Sequence, residues 1–191
     1  MKSLPQLLAD AFQEDPLNTF VEPDPRRRYH KGLWLYGKIV ELVHERGLVN
    51  EIPGKGAALW LKPGNSGINL QDCLRMGMLQ WPVKLGLGAT LRLIQANTGL
   101  GQLPPETHDP SYWYLFILAV DESSRGQGIV RNLLQPVLDE SDRAGVPIRL
   151  ETNQAKNVPI YEHFGFHVIN HSDQIPALEQ WNLIRTPHSN K

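Results

Sequence analysis

The chain lacks several features that define common protein classes. Cys73 is the only cysteine among 191 residues, which excludes an intrachain disulfide framework and a thiolate cluster for structural zinc. No apolar run approaches the roughly 18 residues that a membrane span requires. The segment MKSLPQLLADAFQED holds too short an apolar run for a signal peptide. We therefore expect a soluble protein in a reducing, cytoplasmic setting.

The chain also has little net charge. Its 19 Lys and Arg residues nearly balance 20 Asp and Glu residues, so the formal net charge is -1. Nucleic-acid phosphates require clustered positive charge, so a nucleic-acid partner is not expected, and neither is a membrane. With 41% hydrophobic and 20% charged residues, the composition is typical of an ordinary globular domain with a sizeable core.

Hydrophobic periodicity and turn residues divide the N-terminal half into helices and a hairpin. Asp15-Pro16 is expected to close the first helix and Gly47 the second. The turn Pro53-Gly54-Lys55-Gly56 predicts that the strands on either side pair antiparallel. The predicted elements are helices over Leu4–Phe12 and Pro25–Glu45, strands over Leu48–Ile52 and Ala57–Leu61, two helices between Leu70 and Asn97, and a loop over Thr98–Ser111.

The C-terminal half alternates between strands and helices. The run YWYLFILAV, Tyr112–Val120, has no charged residue and predicts a central strand covered on both faces. The other predicted elements are a helix over Gly128–Ala144, a strand over Ile148–Thr152, a helix over Asn157–Phe164 with Asn157 as its N-cap, and strands over Phe166–Ile169 and Leu178–Ile184.

We interpret this pattern as a single domain over residues 1–191, of the α/β (α+β) class, with a mixed, mostly antiparallel sheet flanked by helices. The loop before the central strand is not a linker, because neither flank could bury a core alone. The expected parts are N-terminal helices over 1–47, a hairpin, helices and a loop over 48–110, a core that carries the chemistry over 111–185, and a polar tail over 186–191.

The turn after the central strand, from Asp121 to Gly128, has the features of a phosphate-binding site. The first N–H groups of a helix have no intrahelical partner, and the helix dipole places partial positive charge there. Gly126 and Gly128 let the backbone approach a pyrophosphate closely, and Arg125 adds a positive charge. Two glycines can also simply shape a turn, so the pattern alone leaves both interpretations open.

The wider context resembles the GCN5-related N-acetyltransferase (GNAT) superfamily. The segment L-A-V-D-E-S-S-R-G-Q-G-I-V, Leu118–Val130, matches its signature of an apolar strand and then R/Q-x-x-G-x-G/A at a helix start. Downstream, L-E-T-N-Q-A-K-N-V-P-I-Y-E-H-F-G-F, Leu150–Phe166, resembles the second motif. More loosely, the N-terminal helices and hairpin resemble the subgroup that includes puromycin N-acetyltransferase. Val130 departs from the pattern, because the superfamily prefers Gly or Ala there.

The resemblance implies that an acetyl group moves from acetyl-coenzyme A to a primary amine by direct attack in a ternary complex. The sheet would be splayed between its two central strands, with the cofactor bound where they part. The strand backbone would pair with the pantetheine arm, and the turn would hold the pyrophosphate. The residues implied in cofactor binding are Leu118, Ala119, Val120, Arg125, Gly126, Gln127, Gly128, Ile129, Val130, Arg131, Asn157 and Tyr161.

Acetyl transfer needs a neutral amine and a proton for the departing thiolate. Tyr161, four residues after Asn157 on the same helical face, is implied as the proton donor. His108 and Glu151 are the candidate bases. Tyr112 and Trp113, at the entry to the central strand, are expected near the acceptor, which would be a small molecule or a peptide. Several of these residues also have structural interpretations: Tyr161 and Trp113 as packing residues, His108 as a solvated residue and Glu151 as the partner of a nearby base.

Two other functions stay open from the sequence. One is a non-catalytic acyl-coenzyme A sensor or interaction module on the same fold, because the β-branched Val130 could crowd the phosphate. The other is a phosphate-binding module for another nucleotide. No metal is expected, because His163, His167 and His171 would span a helix, a glycine stop and a strand. The chain is compatible with a monomer or a homodimer.

Overall fold

The computed structural model describes residues 2–65, 68–99, 111–176 and 178–188. Its strands are β1 Gly47–Ile52, β2 Gly56–Leu61, β3 Trp113–Val120, β4 Ile148–Thr152, β5 His167–Ile175 and β6 Leu178–Arg185. They form one six-stranded sheet in the order β1-β2-β3-β4-β6-β5. Only β3 and β4 pair in parallel among these strands, and the other neighbours are antiparallel. The predicted fold class is therefore confirmed.

The helices in the described residues differ from the prediction at two places. The prediction missed α2. Asp15 caps the start of this helix, since its carboxylate accepts hydrogen bonds from the backbone N–H groups of Leu17 and Asn18. The prediction of two helices between residues 70 and 97 is wrong, because the segment forms three. Gly77 and Gly86, in left-handed conformations with φ of 76° and 84°, separate these helices. The helices are α1 Leu4–Ala11, α2 Pro16–Val21, α3 Pro25–Arg46, α4 Leu70–Arg75, α5 Trp81–Lys84, α6 Leu87–Gly99, α7 Ile129–Ala144 and α8 Val158–His163.

Helices cover both faces of the sheet. Leu7 and Leu8 of α1 and Val43 of α3 are almost fully buried against β2 and β3 on one face. Leu133 and Leu134 of α7 are buried against the other face. At the far end of the first face, α2 and α6 cover β5 and β6. The central strand β3 is thus covered on both sides, as its uncharged sequence predicts.

A bulge in β3 changes which side chains face the α1 and α3 layer. Trp60 of β2 pairs with Leu115 and Leu59 pairs with Ile117, so Phe116 is an extra residue in β3. Phe116 and Ile117 consequently both pack on the α1 and α3 side, next to Tyr114. Bulges commonly redirect side chains near functional sites.

The two parallel strands part halfway along β3. Their last aligned pair is Leu115 with Leu150, whereas β3 continues to Val120 and β4 to Thr152. This arrangement confirms the predicted splay between the two central strands. The opening lies directly before the turn that joins β3 to α7.

A buried ion pair ties the end of β6 to α7 and α8. Arg185, only 4% exposed, donates from Nη1 and Nη2 to the two carboxylate oxygens of Asp142 at 2.8 and 2.7 Å. Its Nε donates to the carbonyl oxygen of Phe164 at 3.1 Å. The guanidinium hydrogen bonds hold the pKa of Asp142 below its ordinary value.

Asp142→Ala is expected to lower the free energy of unfolding by about 3 kcal/mol, because it leaves the buried Arg185 charge unpaired. Urea denaturation followed by circular dichroism measures this value. Glu140→Ala, which removes an exposed partner of Arg143 on the same helix, is the matched control and should leave stability unchanged. Equal losses in the two variants would contradict the assignment.

Candidate active site

The turn between β3 and α7 presents unpaired backbone donors. Gly126 and Gly128 both have φ of 75°, and Gly128 is the N-cap of α7, without a side chain to cap it. No hydrogen-bond acceptor for the backbone N–H groups of residues 126–131 occurs in the described parts of the chain. A Cβ atom added to either glycine would meet no atom within 4 Å. The turn can therefore accommodate an anion against its backbone.

Side chains brace the first half of this turn. Asp121 accepts hydrogen bonds from the Ser123 hydroxyl at 2.6 Å, the Ser123 N–H at 3.1 Å and the Lys2 ammonium at 3.1 Å. These bonds, with the Ser123 hydroxyl as the largest contribution, lower the pKa of Asp121 to about 2. Gln127 donates to the Ser123 carbonyl at 2.9 Å, so its side chain folds back onto the turn. A cavity of about 570 Å³ borders the turn on its α1 side.

The cationic and apolar side chains near the helix start have distinct places. Arg125 is exposed on the turn. Arg131 is exposed one turn into α7, 3.2 Å from Nε2 of His163 and over the ring of Phe164. Val130 is half-buried and packs with the cluster between α7 and the sheet. Its side chain therefore has a packing role in the core.

Asn157 and Tyr161 lie at the other side of the opening, on the segment that follows β4. Asn157 occupies the N-cap position of α8, but its side chain makes no capping bond and instead donates to the Thr152 hydroxyl at 3.2 Å. Tyr161 is 8% exposed and packs edge-to-face on Phe166, with ring centres 6.0 Å apart. Burial, and secondarily the Asp15 charge, raise the pKa of Tyr161 well above its ordinary value.

Glu151 combines solvent access with poor hydration. Its side chain is exposed, beyond the last aligned pair of β3 and β4. The surrounding protein nevertheless desolvates the carboxylate and raises the pKa of Glu151 to about 7. We interpret the combination as a carboxylate in an open recess of the sheet. Its charge, after burial, also raises the pKa of Tyr114, which lies on the same side of the sheet.

A second group of polar residues, which the sequence did not indicate, lies in the helical layer beside the opening. Gln154 donates to the Asp15 carboxylate at 3.1 Å, which joins α2 to the segment after β4. Burial raises the pKa of Asp15. Asn18 donates to the Tyr36 hydroxyl at 2.7 Å. Asp-Pro was a signal only for a helix boundary, so nothing local indicated that Asp15 lies near Tyr161.

The structure separates the two aromatic residues expected near the acceptor. Trp113 is 9% exposed and packs on the α7 side of the sheet. Tyr112 lies under the Arg149 guanidinium, 4.5 Å from its ring centre. Tyr114, rather than Trp113, packs on the side of the sheet that carries Arg149 and Glu151. His108, the other candidate base, lies outside the described residues.

The described ranges contain neither a metal-ligand cluster nor a helix that could span a membrane. No group of three or more His, Cys, Asp and Glu side chains there could hold a metal ion. Among the same residues, the helices are too short or too polar for a membrane span. His163, His167 and His171 have separate surroundings; for example, His171 stacks on Trp181 with ring centres 4.6 Å apart.

Comparison with known proteins gives consistent relatives. Residues 96–176 match the family described as Acetyltransferase (GNAT) domain. An uncharacterised N-acetyltransferase of Schizosaccharomyces pombe is 33% identical over 167 residues, which cover 83% of this chain and 67% of that protein. Parted parallel strands followed by a glycine turn and a helix are the arrangement of an acetyltransferase. The chain belongs to the GNAT acetyltransferase family.

Two solved structures show the same fold at low sequence identity. A Corynebacterium glutamicum protein described as histone acetyltransferase HPA2 and related acetyltransferase has a TM-score of 0.65 at 18% identity, covering 98% of this chain and 91% of its own. Arylalkylamine N-acetyltransferase 2 from Aedes aegypti has a TM-score of 0.52 at 14% identity, covering 96% and 94%. Both similarities extend over nearly the whole chain, so the N-terminal helices belong to the shared fold.

Proposed function

We propose that the protein transfers an acetyl group from acetyl-coenzyme A to a primary amine of a small molecule or peptide, by direct attack in a ternary complex. The observation that carries the proposal is the row of N–H groups at residues 126–131, which have no acceptor among the described residues and follow the part of β3 that β4 has left. A doubly charged pyrophosphate is the ligand that such a row of donors at a helix start favours.

The residues around the opening fit coenzyme A. The N–H groups of the turn, with Arg125 and Arg131, would hold the pyrophosphate, since both guanidinium groups are exposed beside it. The backbone of residues 118–120 would pair with the pantetheine arm, because β4 has left this part of β3. Asn157 uses an amide hydrogen on Thr152, so its carbonyl oxygen is oriented to accept a bond from the arm. The bound cofactor would supply the acetyl group as an activated thioester.

Glu151 is the proposed base. An amine is protonated in neutral solution and must lose a proton before it attacks, and a carboxylate with a pKa of about 7 is well matched to accept that proton. Solvent access at Glu151 allows an acceptor amine, or one intervening water, to reach it. His108 stays a prediction as an alternative base.

Tyr161 is the proposed hydrogen-bond donor to the leaving sulfur. Its raised pKa keeps the hydroxyl protonated throughout the neutral range, so Tyr161 can act as an acid and not as a base. The same shift makes complete proton transfer to a thiolate costlier than the roughly 2 kcal/mol that ordinary pKa values give. Stabilisation through a hydrogen bond is therefore the larger part of its proposed role.

The alternative of a non-catalytic sensor has less support than the sequence suggested. It rested on Val130 crowding the phosphate, and the Val130 side chain packs in the core cluster. The likeness of the N-terminal half to the puromycin N-acetyltransferase subgroup, the cytoplasmic location and the monomeric or homodimeric state stay predictions. The name of the Schizosaccharomyces pombe relative supports an amine acceptor without identifying one.

The test measures coenzyme A binding in the wild type and in two variants, each with one left-handed glycine replaced by alanine. Coenzyme A at about a hundred times its dissociation constant should raise the thermal midpoint of the wild type by roughly 5 °C. Gly128→Ala should weaken coenzyme A binding roughly tenfold or more, because its Cβ enters the space against the donor row. Gly145→Ala is the matched control, since Gly145 ends the same helix with φ of 68° and equally open surroundings.

The control separates strain from binding. Both substitutions should lower stability similarly, because both place an alanine in a left-handed conformation. Only Gly128→Ala should lose affinity. A screen of amines for thiol release from acetyl-coenzyme A then tests turnover. Absence of any thermal shift with millimolar coenzyme A would overturn the cofactor assignment, and binding without turnover across a broad amine panel would favour the sensor.

A further inference from the structure

A row of buried polar side chains crosses the sheet on the face that carries Glu151. Asn182 of β6 is 1% exposed, and Gln180 of the same strand and Ser172 of β5 are each 5% exposed. They lie between the apolar cluster under α1 and α3 and the one under α2 and α6. Burying polar groups costs free energy unless they are hydrogen-bonded, so apolar residues would be cheaper here. The row therefore calls for a chemical reason.

Only the oxygen of the Asn182 side-chain amide has a hydrogen-bond partner among the described residues. Its Oδ1 accepts a hydrogen bond from Nε2 of Gln180 at 3.4 Å. Its Nδ2 is buried and has no hydrogen-bond partner among the described residues. Gln180 thus fixes which end of the Asn182 amide is left over, and that end carries two hydrogens to donate. An unpaired donor in this position is destabilising by itself.

Glu151 lies directly opposite Asn182. The two residues are aligned partners in the antiparallel pair of β4 and β6, so their side chains leave the sheet on the same face. The Cβ atoms of such partners are about 4.5–5.5 Å apart. Cβ atoms at this separation allow a glutamate carboxylate and an asparagine amide to reach hydrogen-bond distance. In the described residues, the Glu151 carboxylate accepts no hydrogen bond, and desolvation by the surrounding protein is the only cause of its raised pKa.

We propose that Asn182 is a positioning residue whose free amide hydrogens hold the ionised Glu151 carboxylate, with Gln180 fixing the orientation of the amide. The inference rests on the proposed function, in which Glu151 takes the proton of the acceptor amine. Asn182 does not touch the reacting atoms. It makes the charged form of Glu151 available and points one carboxylate oxygen away from the sheet, toward the open side of the recess.

Other groups near Glu151 act differently. Tyr112, which directly precedes β3, and Tyr114 on β3 carry hydroxyl groups, and the Arg149 cation, two residues before Glu151 on β4, lies over the Tyr112 ring. Asp15 in the helical layer is held by Gln154 and by the start of α2. Asn182 differs from them because it is the aligned cross-strand partner of Glu151.

The test is a carboxyl carbon titration of Glu151 by NMR in the full chain labelled with ¹³C-glutamate, with the signal assigned by its loss in Glu151→Gln. Asn182→Leu, which is nearly isosteric and cannot donate, should raise the pKa of Glu151 by about one unit, because a hydrogen bond to the charged form is removed. Asn182→Ser, which keeps a donor and removes bulk, should give a smaller rise. Ser172→Ala, on the same face but opposite Gln180, is the matched control and should change nothing.

The outcomes are separable from those of the proposed function. The titration needs neither coenzyme A nor an acceptor, and circular dichroism shows which variants fold. If Asn182→Leu does not fold, Asn182→Ser decides. An unchanged pKa of Glu151 in the folded Asn182 variants overturns the inference. A raised pKa together with no turnover on any amine leaves the pairing of Asn182 with Glu151 standing and removes the catalytic role of Glu151. With turnover, the acidic limb of the kcat/KM profile should move upward by the same amount.

Discussion

Replacing Glu151 by glutamine is expected to lower kcat/KM for the acceptor amine about a hundredfold or more. The substitution keeps the shape of the side chain and removes its capacity to accept a proton, and a positioned general base contributes typically 10²–10⁴-fold. Because the base must be ionised, wild-type activity should rise with pH through the pKa of Glu151, which desolvation raises to about 7 and the bond proposed from Asn182 would lower. Glu151→Gln should not show this rise of activity with pH. Steady-state thiol release measured from pH 5.5 to 9 provides both readouts.

The stability of the same variant separates catalysis from folding. The pKa of Glu151 in the folded protein is about 7, above its ordinary 4.5, so the folded state holds the proton more tightly than the unfolded chain does. Ionisation of Glu151 therefore destabilises the fold progressively between pH 4.5 and 7 and by a constant amount above. Glu151→Gln lacks this cost and should be at least as stable as the wild type at pH 8.

Glu162→Gln, at an exposed position on α8, is the activity control. Full activity in Glu151→Gln would assign the base elsewhere, with His108 as the next candidate.

Tyr161→Phe is expected to reduce kcat roughly a hundredfold with little change in coenzyme A affinity. The ring would keep its edge-to-face packing on Phe166, so the variant removes only the hydroxyl that is proposed to stabilise the leaving sulfur. Burial holds the pKa of this hydroxyl far above neutrality, so no loss of activity from its ionisation is expected below pH 10. Thermal shift with coenzyme A and thiol-release kinetics measure the two quantities separately.

A second tyrosine serves as the control for this experiment. Tyr29 of α3 packs against the core cluster under α1 and α3 and has no proposed role in acetyl transfer. Tyr29→Phe should leave both kcat and coenzyme A affinity unchanged. If Tyr161→Phe behaves in the same way, Tyr161 is a packing residue and the proton for the thiolate comes from another group or from water.

Much of the fold could be predicted because its signals are local. The uncharged run of β3, the glycine that ends α7 and the turn of the β1–β2 hairpin each act within a few residues, and their bounds agree with the structure to within one or two residues. The errors also have local causes. Asp15-Pro16 begins α2, four residues after α1 has ended at Ala11, and a sequence pattern shows only that a boundary exists there.

The parts of the site on one continuous segment could be predicted for the same reason. The donor row after β3 depends on two glycines and a helix start, which are adjacent in the sequence. Asp15, Tyr36, Tyr114 and Asn182 could not be predicted, because their relation to the site depends on strand register and on helices docked onto the sheet. Asn182 lies 31 residues after Glu151 in the sequence, yet the two residues are aligned partners on the neighbouring strands β4 and β6.

By itself, the sequence determined that this protein would form a strand, a glycine turn and a helix, because backbone conformation and capping are decided by neighbouring residues. Only the tertiary structure decided that β4 leaves β3 after Leu150, that Glu151 lies in a poorly hydrated recess and that Val130 turns into the core. Those outcomes depend on strand register, on a bulge and on helix packing. The free energy of each comes from contacts between residues that are far apart in the chain.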